Sequence, residues 1–531
     1  MSTQTSESGT APGTKGLKGG ALGLVSSVVI GMASTAPAYS LAASLGLIVV
    51  LAGEKTPAIM LLAFVPMYLI AVAYRELNEA EPDCGTTFTW AARAFGPRTG
   101  WMGGWGIIAA DIIVMANLAQ IAGAYSFRLF GFDELADDQL WSTVAGVVWI
   151  VLMTYICYRG IEVSARLQYA LLGIELVVLI AFAVIALVKV YSGSAPEGFI
   201  LPGLDWLWPG GLSLSDFVDA VLIAVFLYWG WDTAVAVNEE ADDPASTPGK
   251  AAVLSTVLLL VTYVLVAVAT VAFAGTGTEG IGLGNPDNAD DVFAAIAPTV
   301  FGDSGFGQVF VVLLIISVLT SSAASTQTTI LPTARAALSM GAYRAIPPRF
   351  AKIHPRYLTP SYATWGMGIA SIAFYVLLTI ISTNVLADSI SAVGLLIAFY
   401  YGLTGFACVW YYRKHLHGRD LWVKGVLPFL GGLLLLGAFV EASITYASPD
   451  GGETTVFGIG SLVLGALLMF VYSRIAPPFF RGETLTKGSH DLILPPGHRT
   501  GLGLPDSHED TVIAPDLSNL PPGQRPTDPR E

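Results

Sequence analysis

Long apolar segments separated by short polar ones run through this chain as far as residue 475. A membrane-spanning helix needs about 20 predominantly apolar residues, whereas a spanning strand of a barrel is about ten residues of alternating pattern. These segments are longer and apolar on every face, so they predict an all-α integral membrane protein of about twelve transmembrane helices. The predicted spans are 21–51, 57–76, 99–129, 140–159, 164–190, 214–238, 249–274, 306–335, 360–383, 386–411, 421–444 and 455–475.

The composition agrees with a membrane protein and excludes an ordinary soluble domain. Hydrophobic residues make up 54% of the chain and charged residues only 12%, whereas soluble domains carry about 25% charged residues. The net charge of −14 comes largely from acids in polar loops and in the C-terminal segment. An acidic chain of this kind gives no indication of a nucleic-acid partner. The partner that the composition does indicate is the lipid bilayer.

The positions of the basic residues predict the orientation of the chain. With the N-terminus inside and twelve alternating spans, all but three of the 26 Lys and Arg residues fall on the inner side; the exceptions are Lys55, Arg128 and Lys189. This is the asymmetry of the positive-inside rule. We therefore expect a multi-pass protein of the plasma (inner) membrane with both termini cytoplasmic.

The same pattern divides the chain into three parts. Residues 1–19 are rich in Ser, Thr and Gly and predict a cytoplasmic N-terminal tail, and residues 20–475 form the transmembrane domain. Residues 476–531 are rich in Pro, Gly and charge, which predicts a disordered cytoplasmic C-terminal tail.

Two predicted spans contain helix-breaking sequences at membrane depth. Span one holds Gly31-Met32-Ala33-Ser34-Thr35-Ala36-Pro37, and span six holds Tyr228-Trp229-Gly230-Trp231-Asp232-Thr233. Irregular backbone inside a membrane is tolerated where it is buried in protein or lines a cavity. Paired interruptions in equivalent helices are the best sequence pointer to the central site of a transporter. The alternative is that Gly and Pro are simply common in membrane helices.

Four stretches carry a family resemblance. They are Tyr228 to Asp232 with Asn238-Glu239-Glu240 and Asp243-Pro244; Gly85 to Trp90 with Phe95-Gly96-Pro97; Gly160 to Arg166; and Arg335 to Pro347. Together they resemble the amino acid–polyamine–organocation permeases over about residues 20–475. The resemblance implies a five-plus-five inverted repeat, with broken helices 1 and 6, followed by two further helices.

The chain departs from that family at two places. Much of the family has Gly-Ser/Thr-Gly-Ile in span one, whereas this chain reads Gly31-Met32-Ala33-Ser34. The second glycine is therefore missing. The hydroxyls of Ser34 and Thr35 are the candidates to replace its function. Some relatives place a proton-coupling Lys nine residues after the Arg that corresponds to Arg166. Here that position is Glu175.

Three acids lie deep in predicted spans, with no Lys or Arg at comparable depth. A charge at the centre of a bilayer costs at least about 2.5–3.5 kcal/mol, so Asp111, Glu175 and Asp232 are candidate functional residues. Asp232 adjoins the break and Asp111 suits a substrate ammonium, whereas Glu175 takes the coupling position by resemblance. The alternative for each acid is a polar contact between helices, hydrogen-bonded to Ser or Thr.

Aromatic and hydroxyl side chains complete the candidate site. Trp229 and Trp231 could close over an amine by cation–π contact, or could serve in packing. The predicted substrate site consists of these two tryptophans together with Gly31, Ser34, Thr35, Asp111, Gly230 and Asp232. A hydroxyl cluster in span eight favours close helix packing over an ion site; its members are Thr320, Ser321, Ser322, Ser325 and Thr326.

These features predict a secondary active transporter for an amino acid or related amine, importing it with protons by alternating access. An exchanger on the same fold is the alternative. A membrane enzyme is disfavoured because the chain has no His-Glu-x-x-His, phosphate loop or clustered His and Cys ligands, so we expect no catalytic residue, metal or cofactor. A channel is disfavoured because paired breaks indicate a closed central site. The pattern leaves open the exact substrate, the coupling ion and the oligomeric state.

Overall fold

A computed structural model describes residues 15–289, 291–302, 304–381, 385–446, 452–475 and 477–485. Within these ranges the chain is helical and forms no strand beyond an isolated bridge between Leu22 and Ala241. Ten helical runs there are long and apolar enough to cross a membrane. The prediction of an all-α, multi-pass membrane protein is confirmed. The exact count of twelve and the inverted repeat stay predictions.

Nineteen α-helices follow one another through the described ranges. The first ten are α1 Leu24–Thr35, α2 Pro37–Ala52, α3 Thr56–Ala80, α4 Thr87–Phe95, α5 Pro97–Arg128, α6 Asp133–Asp137, α7 Gln139–Arg159, α8 Ile161–Tyr191, α9 Leu214–Tyr228 and α10 Thr233–Ala236. The others are α11 Thr247–Ala274, α12 Pro286–Ala289, α13 Val292–Phe301, α14 Gly305–Ala342, α15 Ser361–Ile381, α16 Val385–Tyr412, α17 Leu427–Tyr446, α18 Gly452–Ile475 and α19 Pro477–Phe480. Short 3₁₀ turns lie at Gly53–Lys55, Leu204–Leu207, Asn238–Glu240 and Pro348–Ala351, and a π-helical turn at Leu421–Val426.

The backbone is interrupted between α1 and α2 and again between α9 and α10. Ala36 separates α1 from α2 with a φ of 48°, and Pro37, which has no N–H, begins α2. α9 ends at Tyr228, and Gly230 follows with a φ of 117°. Left-handed backbone favours glycine, so Gly230 accommodates its turn easily while Ala36 is held in its turn by the packing around it.

Burial separates inner helices from outer ones. An 18-residue apolar window of α5 is 83% buried, whereas the corresponding window of α18 is only 11% buried. α5 packs against α4, α7, α14 and α16, and α11 packs against α1, α3 and α8. The outer helices present large apolar side chains, such as Val177, Ile380 and Leu467, on the surface. Such exposed apolar faces fit lipid rather than water.

The segments at both ends of the described chain pack onto the bundle. Lys15 and Leu17 are buried beside the loop that follows α3, and Leu22 pairs with Ala241. At the other end, Phe479 and Leu485 are buried against α5 and α14. Residues 1–14 and 486–531, where most of the two predicted tails fall, lie outside the described residues.

Candidate functional site

The two backbone interruptions meet at the centre of the bundle. A Cβ at Gly230 would lie 2.8 Å from the carbonyl atoms of Ser34, so the two backbones are in direct contact. The hydroxyls of Ser34 and Thr233 share a hydrogen bond of 2.8 Å, and Ser325 donates to the Ser34 carbonyl oxygen at 2.8 Å. Ser34 and Gly230, both predicted site residues, therefore lie at one junction between α1, α10 and α14.

Gly31 and Thr35, also predicted site residues, make local contacts. Gly31 lies inside α1 rather than at its end, where a Cβ would approach the Ser255 hydroxyl to 2.9 Å and the Trp231 carbonyl oxygen to 3.3 Å. It therefore allows α1 to pack closely on α11 and the second interruption. Thr35 donates its hydroxyl to the Met32 carbonyl oxygen at 2.7 Å, which satisfies one of the free acceptors at the end of α1.

The first turn of α2 has every backbone donor satisfied. Pro37 has none, Ala38 donates its N–H to the Glu175 carboxylate at 2.6 Å, and Tyr39 donates to the Ser321 hydroxyl at 3.2 Å. The next donor, Ser40, bonds to the Ala36 carbonyl oxygen at 2.8 Å.

Glu175 thus caps a helix that begins at membrane depth. Ser321 also donates to the same carboxylate oxygen at 2.7 Å, and the second oxygen of Glu175 has no hydrogen-bond partner among the described residues. The side chain is fully buried. Glu175 therefore contacts α2 and α14, and its carboxylate complements the partial positive charge of the α2 N-terminus.

Asp232 and Asp111 form the second acidic feature of the site. Tyr400 donates its hydroxyl to Asp232 at 3.1 Å and receives a hydrogen bond from the Trp229 indole. Asp111 accepts a hydrogen bond from Thr333 and lies within electrostatic range of Asp232. Neither acid has an ion-pair partner among the residues that the structure describes, and their side chains are buried.

Aromatic rings surround this acidic pair. The cluster comprises Tyr74, Trp90, Trp231, Tyr400 and Tyr401. Trp231 stands edge-on to Tyr74 at 5.1 Å between centroids and lies 5.1 Å from Tyr401, and Tyr74 lies 5.2 Å from Trp90. Tyr400 and Tyr401 are 4.7 Å apart. The Trp231 indole N–H is buried without a hydrogen-bond partner in the described structure, and the Tyr401 hydroxyl lies beside the Asp232 carboxylate.

The sequence prediction named some of the residues that meet in this region and did not name others. It named both tryptophans and both acids, which the structure brings together, but it did not name Tyr74, Tyr400 or Tyr401. The adjacent Tyr400-Tyr401 pair inside an apolar segment was the available signal. In the hydroxyl cluster of α14, Ser321 and Ser325 reach the first interruption, whereas Ser322 and Thr326 bond within α14.

Buried ion pairs close one end of the bundle, which we call the Lys15 end. The Lys15 ammonium lies 2.9 Å from Asp83 and 2.5 Å from Glu239, and Arg335 lies 2.6 Å from Glu240. Lys15 joins the segment before α1 to the loop after α3 and to the 3₁₀ turn after α10. Arg335 joins that turn to α14. The Lys15 ammonium also neutralises the acidic group formed by Asp83, Cys84 and Glu239, whose ligand atoms lie close enough together to hold a metal ion.

Lys15 and Asp83 stabilise each other in ionised form. Burial by itself would lower the pKa of Lys15, but the neighbouring Asp83 and Glu239 hold it well above its ordinary value. Burial would raise the pKa of Asp83, yet the Lys15 ammonium and the Gly85 N–H hold it below the usual range. Breaking a buried pair of this kind costs about 3–5 kcal/mol.

The opposite end of the bundle is covered by α12 and α13. Asp291, at the start of α13, receives hydrogen bonds from Tyr125 at 2.7 Å and pairs with Arg128 at 2.5 Å. α12 packs so closely on α2 that a Cβ at Gly46 would lie 2.6 Å from Ala289. Both ends of the bundle are thus covered, and the central acids are buried between them.

Comparison with known proteins gives one family. A family model described as amino acid permease matches residues 21–472. The branched-chain amino acid permease of Lactococcus lactis is 26% identical over 430 residues, which cover 78% of this chain and 86% of that protein. The methylthioribose transporter of Bacillus subtilis is 22% identical over 427 residues, 78% of this chain and 85% of that protein. The arginine/ornithine antiporter of Latilactobacillus sakei is 24% identical over 225 residues, 41% of this chain and 46% of that protein.

Proposed function

Because this chain belongs to the amino acid permease family, a family of transporters and not of enzymes, we propose that it imports an amino acid or related amine together with protons. Transport would proceed by alternating access around the junction of the two interruptions. The observation that carries this proposal is the direct contact between the Gly230 and Ser34 backbones, beside buried acids that have no cationic partner within the described ranges. Substrate sites of transporters are built from such interrupted helices near the middle of the membrane.

The arrangement supports a substrate site that includes Asp111, Trp229, Trp231 and Asp232. Asp232 directly follows the interruption, and it is linked through Tyr400 to Trp229. A buried carboxylate without a counter-charge is costly in a membrane and is found at substrate and ion pathways. A substrate ammonium would supply the missing positive charge.

Glu175 is our proposed proton carrier. Its carboxylate holds the first free N–H of α2 and a hydroxyl of α14. Protonation would neutralise the carboxylate and weaken its hold on the positive end of α2. Proton binding would thereby be linked to movement at the first interruption, which is the link that a symporter needs.

We propose that the Lys15 end faces the cytoplasm of a cell whose plasma membrane holds the protein. The basic residues support this orientation, because Arg335, Arg344, Arg349 and Lys352 all lie near that end of α14. The transmembrane domain would then comprise residues 20–475, with twelve spans in a five-plus-five inverted repeat and two further helices.

An exchanger is the second candidate, and the relative named as an arginine/ornithine antiporter favours it. Uptake by proteoliposomes separates the two. We expect labelled substrate to accumulate when an inward proton gradient is imposed and to stop when the gradient is dissipated. Uptake that requires a preloaded counter-substrate and ignores the gradient would establish the exchanger instead. If neither regime gives saturable uptake of any amino acid or amine, the proposed function is wrong.

A further inference from the structure

The α2 N-terminus has no donor left for a substrate carboxylate. The N-terminus of a helix is a ready anion site because its first N–H groups lack partners within the helix. In this chain Glu175 takes the Ala38 N–H at 2.6 Å and Ser321 takes the Tyr39 N–H at 3.2 Å. An internal carboxylate therefore already occupies the position at which the α2 N-terminus would bind a carboxylate of the substrate.

The other half of the site selects positive charge. Asp111 and Asp232 are buried, they interact electrostatically, and neither has an ion-pair partner in the described parts of the chain. Their neighbours Tyr74, Trp231 and Tyr401 pack edge-on or tilted at 5.1–5.6 Å. The faces of electron-rich rings, together with an acid, are the usual means of binding an organic ammonium group.

Among the described residues, the buried cations are all engaged by acids away from this region. Three buried basic residues are each paired with acids at the Lys15 end. Lys15 pairs with Asp83 and Glu239, Arg93 pairs with Glu81, and Arg335 pairs with Glu240. A carboxylate brought beside Asp111 and Asp232 would face repulsion with no counter-charge. The site is therefore complementary to one charged group of the substrate and not to two.

We propose that the substrate is an amine without a carboxylate, held by Asp232, Asp111 and the rings of Tyr74, Trp231 and Tyr401. Glu175 takes the place that the carboxylate of an amino acid would occupy. This inference rests on the proposed function, because it names the substrate class of the same site. The unpartnered Trp231 N–H can only donate, so it leaves capacity for an acceptor on the ligand, such as a hydroxyl oxygen.

Matched ligand pairs test the proposal without requiring transport. Each pair consists of an α-amino acid and the amine that lacks only its carboxylate: lysine and cadaverine, arginine and agmatine, tyrosine and tyramine, valine and isobutylamine. Binding to the purified full-length protein is followed by its thermal unfolding temperature and by calorimetry. We expect at least one amine to bind about tenfold more tightly than its amino acid, because a carboxylate would be left unpaired in a buried site.

The outcomes separate this inference from the proposed function. Tighter or equal binding of the amino acid in every pair, or binding of no amine, overturns the inference. An amine that binds but is not taken up by proteoliposomes leaves the inference standing and overturns the transport function. Uptake of amino acids alone supports the function and refutes the substrate class.

Variants of Glu175 give a sharper readout than activity alone. Glu175→Ala frees the Ala38 N–H for a substrate carboxylate. We therefore expect the affinity for the amine, divided by the affinity for its amino acid, to fall about tenfold. Glu175→Gln keeps an acceptor for that N–H and should leave the ratio closer to wild type. The exposed Glu197→Gln is the matched surface control. An unchanged ratio in a folded Glu175→Ala protein would contradict the role assigned to Glu175.

Discussion

At the scale of single residues, the three buried acids differ in what already satisfies them. Glu175 accepts two hydrogen bonds, one from the positive end of α2. Asp232 accepts hydrogen bonds from Tyr400 and Tyr401, and Asp111 accepts one from Thr333. Glu175 therefore holds the start of a helix, whereas the two aspartates face side-chain hydroxyls beside the aromatic rings.

The first prediction concerns Asp232. Asp232→Asn keeps the shape of the side chain and its contact with Tyr400 but removes the negative charge. We expect substrate-driven uptake to fall by at least about tenfold, because a charge-assisted contact contributes about 1.5–3 kcal/mol. The monodispersity and unfolding temperature of the purified protein should stay close to wild type. Asp287→Asn, at an exposed position, is the control, and wild-type uptake by Asp232→Asn would remove Asp232 from the mechanism.

The second prediction concerns Glu175. Glu175→Gln retains an oxygen to accept the Ala38 N–H but cannot release a proton. We expect accumulation driven by a proton gradient to be lost, while exchange of labelled for unlabelled substrate at equal pH is largely kept. The two assays are run on the same proteoliposomes. An equal loss in both would mean that Glu175 serves structure or substrate binding instead of proton coupling.

At the scale of secondary structure, two short breaks in long helices create the site because they touch. Ala36 and Gly230 turn the chain in a conformation that ordinary helix excludes. The Ser34–Thr233 and Ser325–Ser34 hydrogen bonds then hold α1, α10 and α14 at one point. The interruptions thus replace helical hydrogen bonds with contacts between helices.

The third prediction tests that contact through Gly230. In Gly230→Ala the new Cβ meets Ser34 at 2.8 Å on backbone with a φ of 117°. Strain of this kind costs about 1–3 kcal/mol, so we expect a lower unfolding temperature and loss of uptake.

Gly173→Ala is the matched control for Gly230→Ala. Gly173 lies in α8, is exposed, and has no atom within 4 Å of the position of a Cβ. Ala there should be neutral or stabilise the protein by up to about 1 kcal/mol. If Gly230→Ala behaves like Gly173→Ala, the two interruptions are not in the close contact described above.

At the scale of the whole molecule, alternating access requires that ends of the bundle open in turn. The Lys15 end is held by ion pairs between segments distant in sequence, because Lys15 contacts both Asp83 and Glu239. The other end is held by the contact of Asp291 with Tyr125 and Arg128. Opening of the Lys15 end would expose Cys84, whose N–H bonds to Glu239 at 3.1 Å.

The fourth prediction uses Cys84 as a reporter. Lys15→Ala leaves Asp83 and Glu239 buried without their cation, which favours opening of the Lys15 end. In a background with Cys157→Ser and Cys408→Ser, we expect Cys84 to react several-fold faster with a membrane-permeant maleimide. Lys18→Ala is the control because Lys18 forms only a surface pair with Glu162, and such pairs contribute about 0–1 kcal/mol. Equal labelling rates in the two variants would show that Lys15 does not hold this end closed.

The fifth prediction concerns pH. The pKa of Asp83 is lowered in the folded protein, so its contribution to stability is present above its ordinary value of about 4 and is lost as pH falls through the lowered pKa. The pKa of Lys15 is raised, so its contribution is lost only as pH rises through that raised value. This pair therefore stays ionised from about pH 5 to 8.

A pH dependence of uptake in that range should therefore arise from groups other than Lys15 and Asp83. We expect Asp83→Asn to lower the maximal uptake rate while leaving the midpoint of its pH profile in place, whereas Glu175→Gln should shift or abolish the midpoint. Uptake is measured between about pH 5 and 8 in both variants. A displaced midpoint in Asp83→Asn would assign the titrating group to the Lys15 end.

The sequence by itself determined the class of this protein, because hydropathy and helix-breaking residues act locally. Apolar segments of sufficient length predicted membrane helices, and the stretches around Pro37 and Gly230 predicted where two helices are interrupted. The buried acids were also visible, since an acid in an apolar segment is unusual whatever surrounds it.

Only the tertiary structure decided which groups these residues meet. Glu175 lies 137 positions from Ala38, Lys15 lies 224 positions from Glu239, and Tyr39 lies 282 positions from Ser321. Nothing in the local pattern selects these partners, because each depends on how whole helices pack. The same packing brings Tyr400 to Asp232, and it turns Glu175 from an isolated acid into the cap of α2.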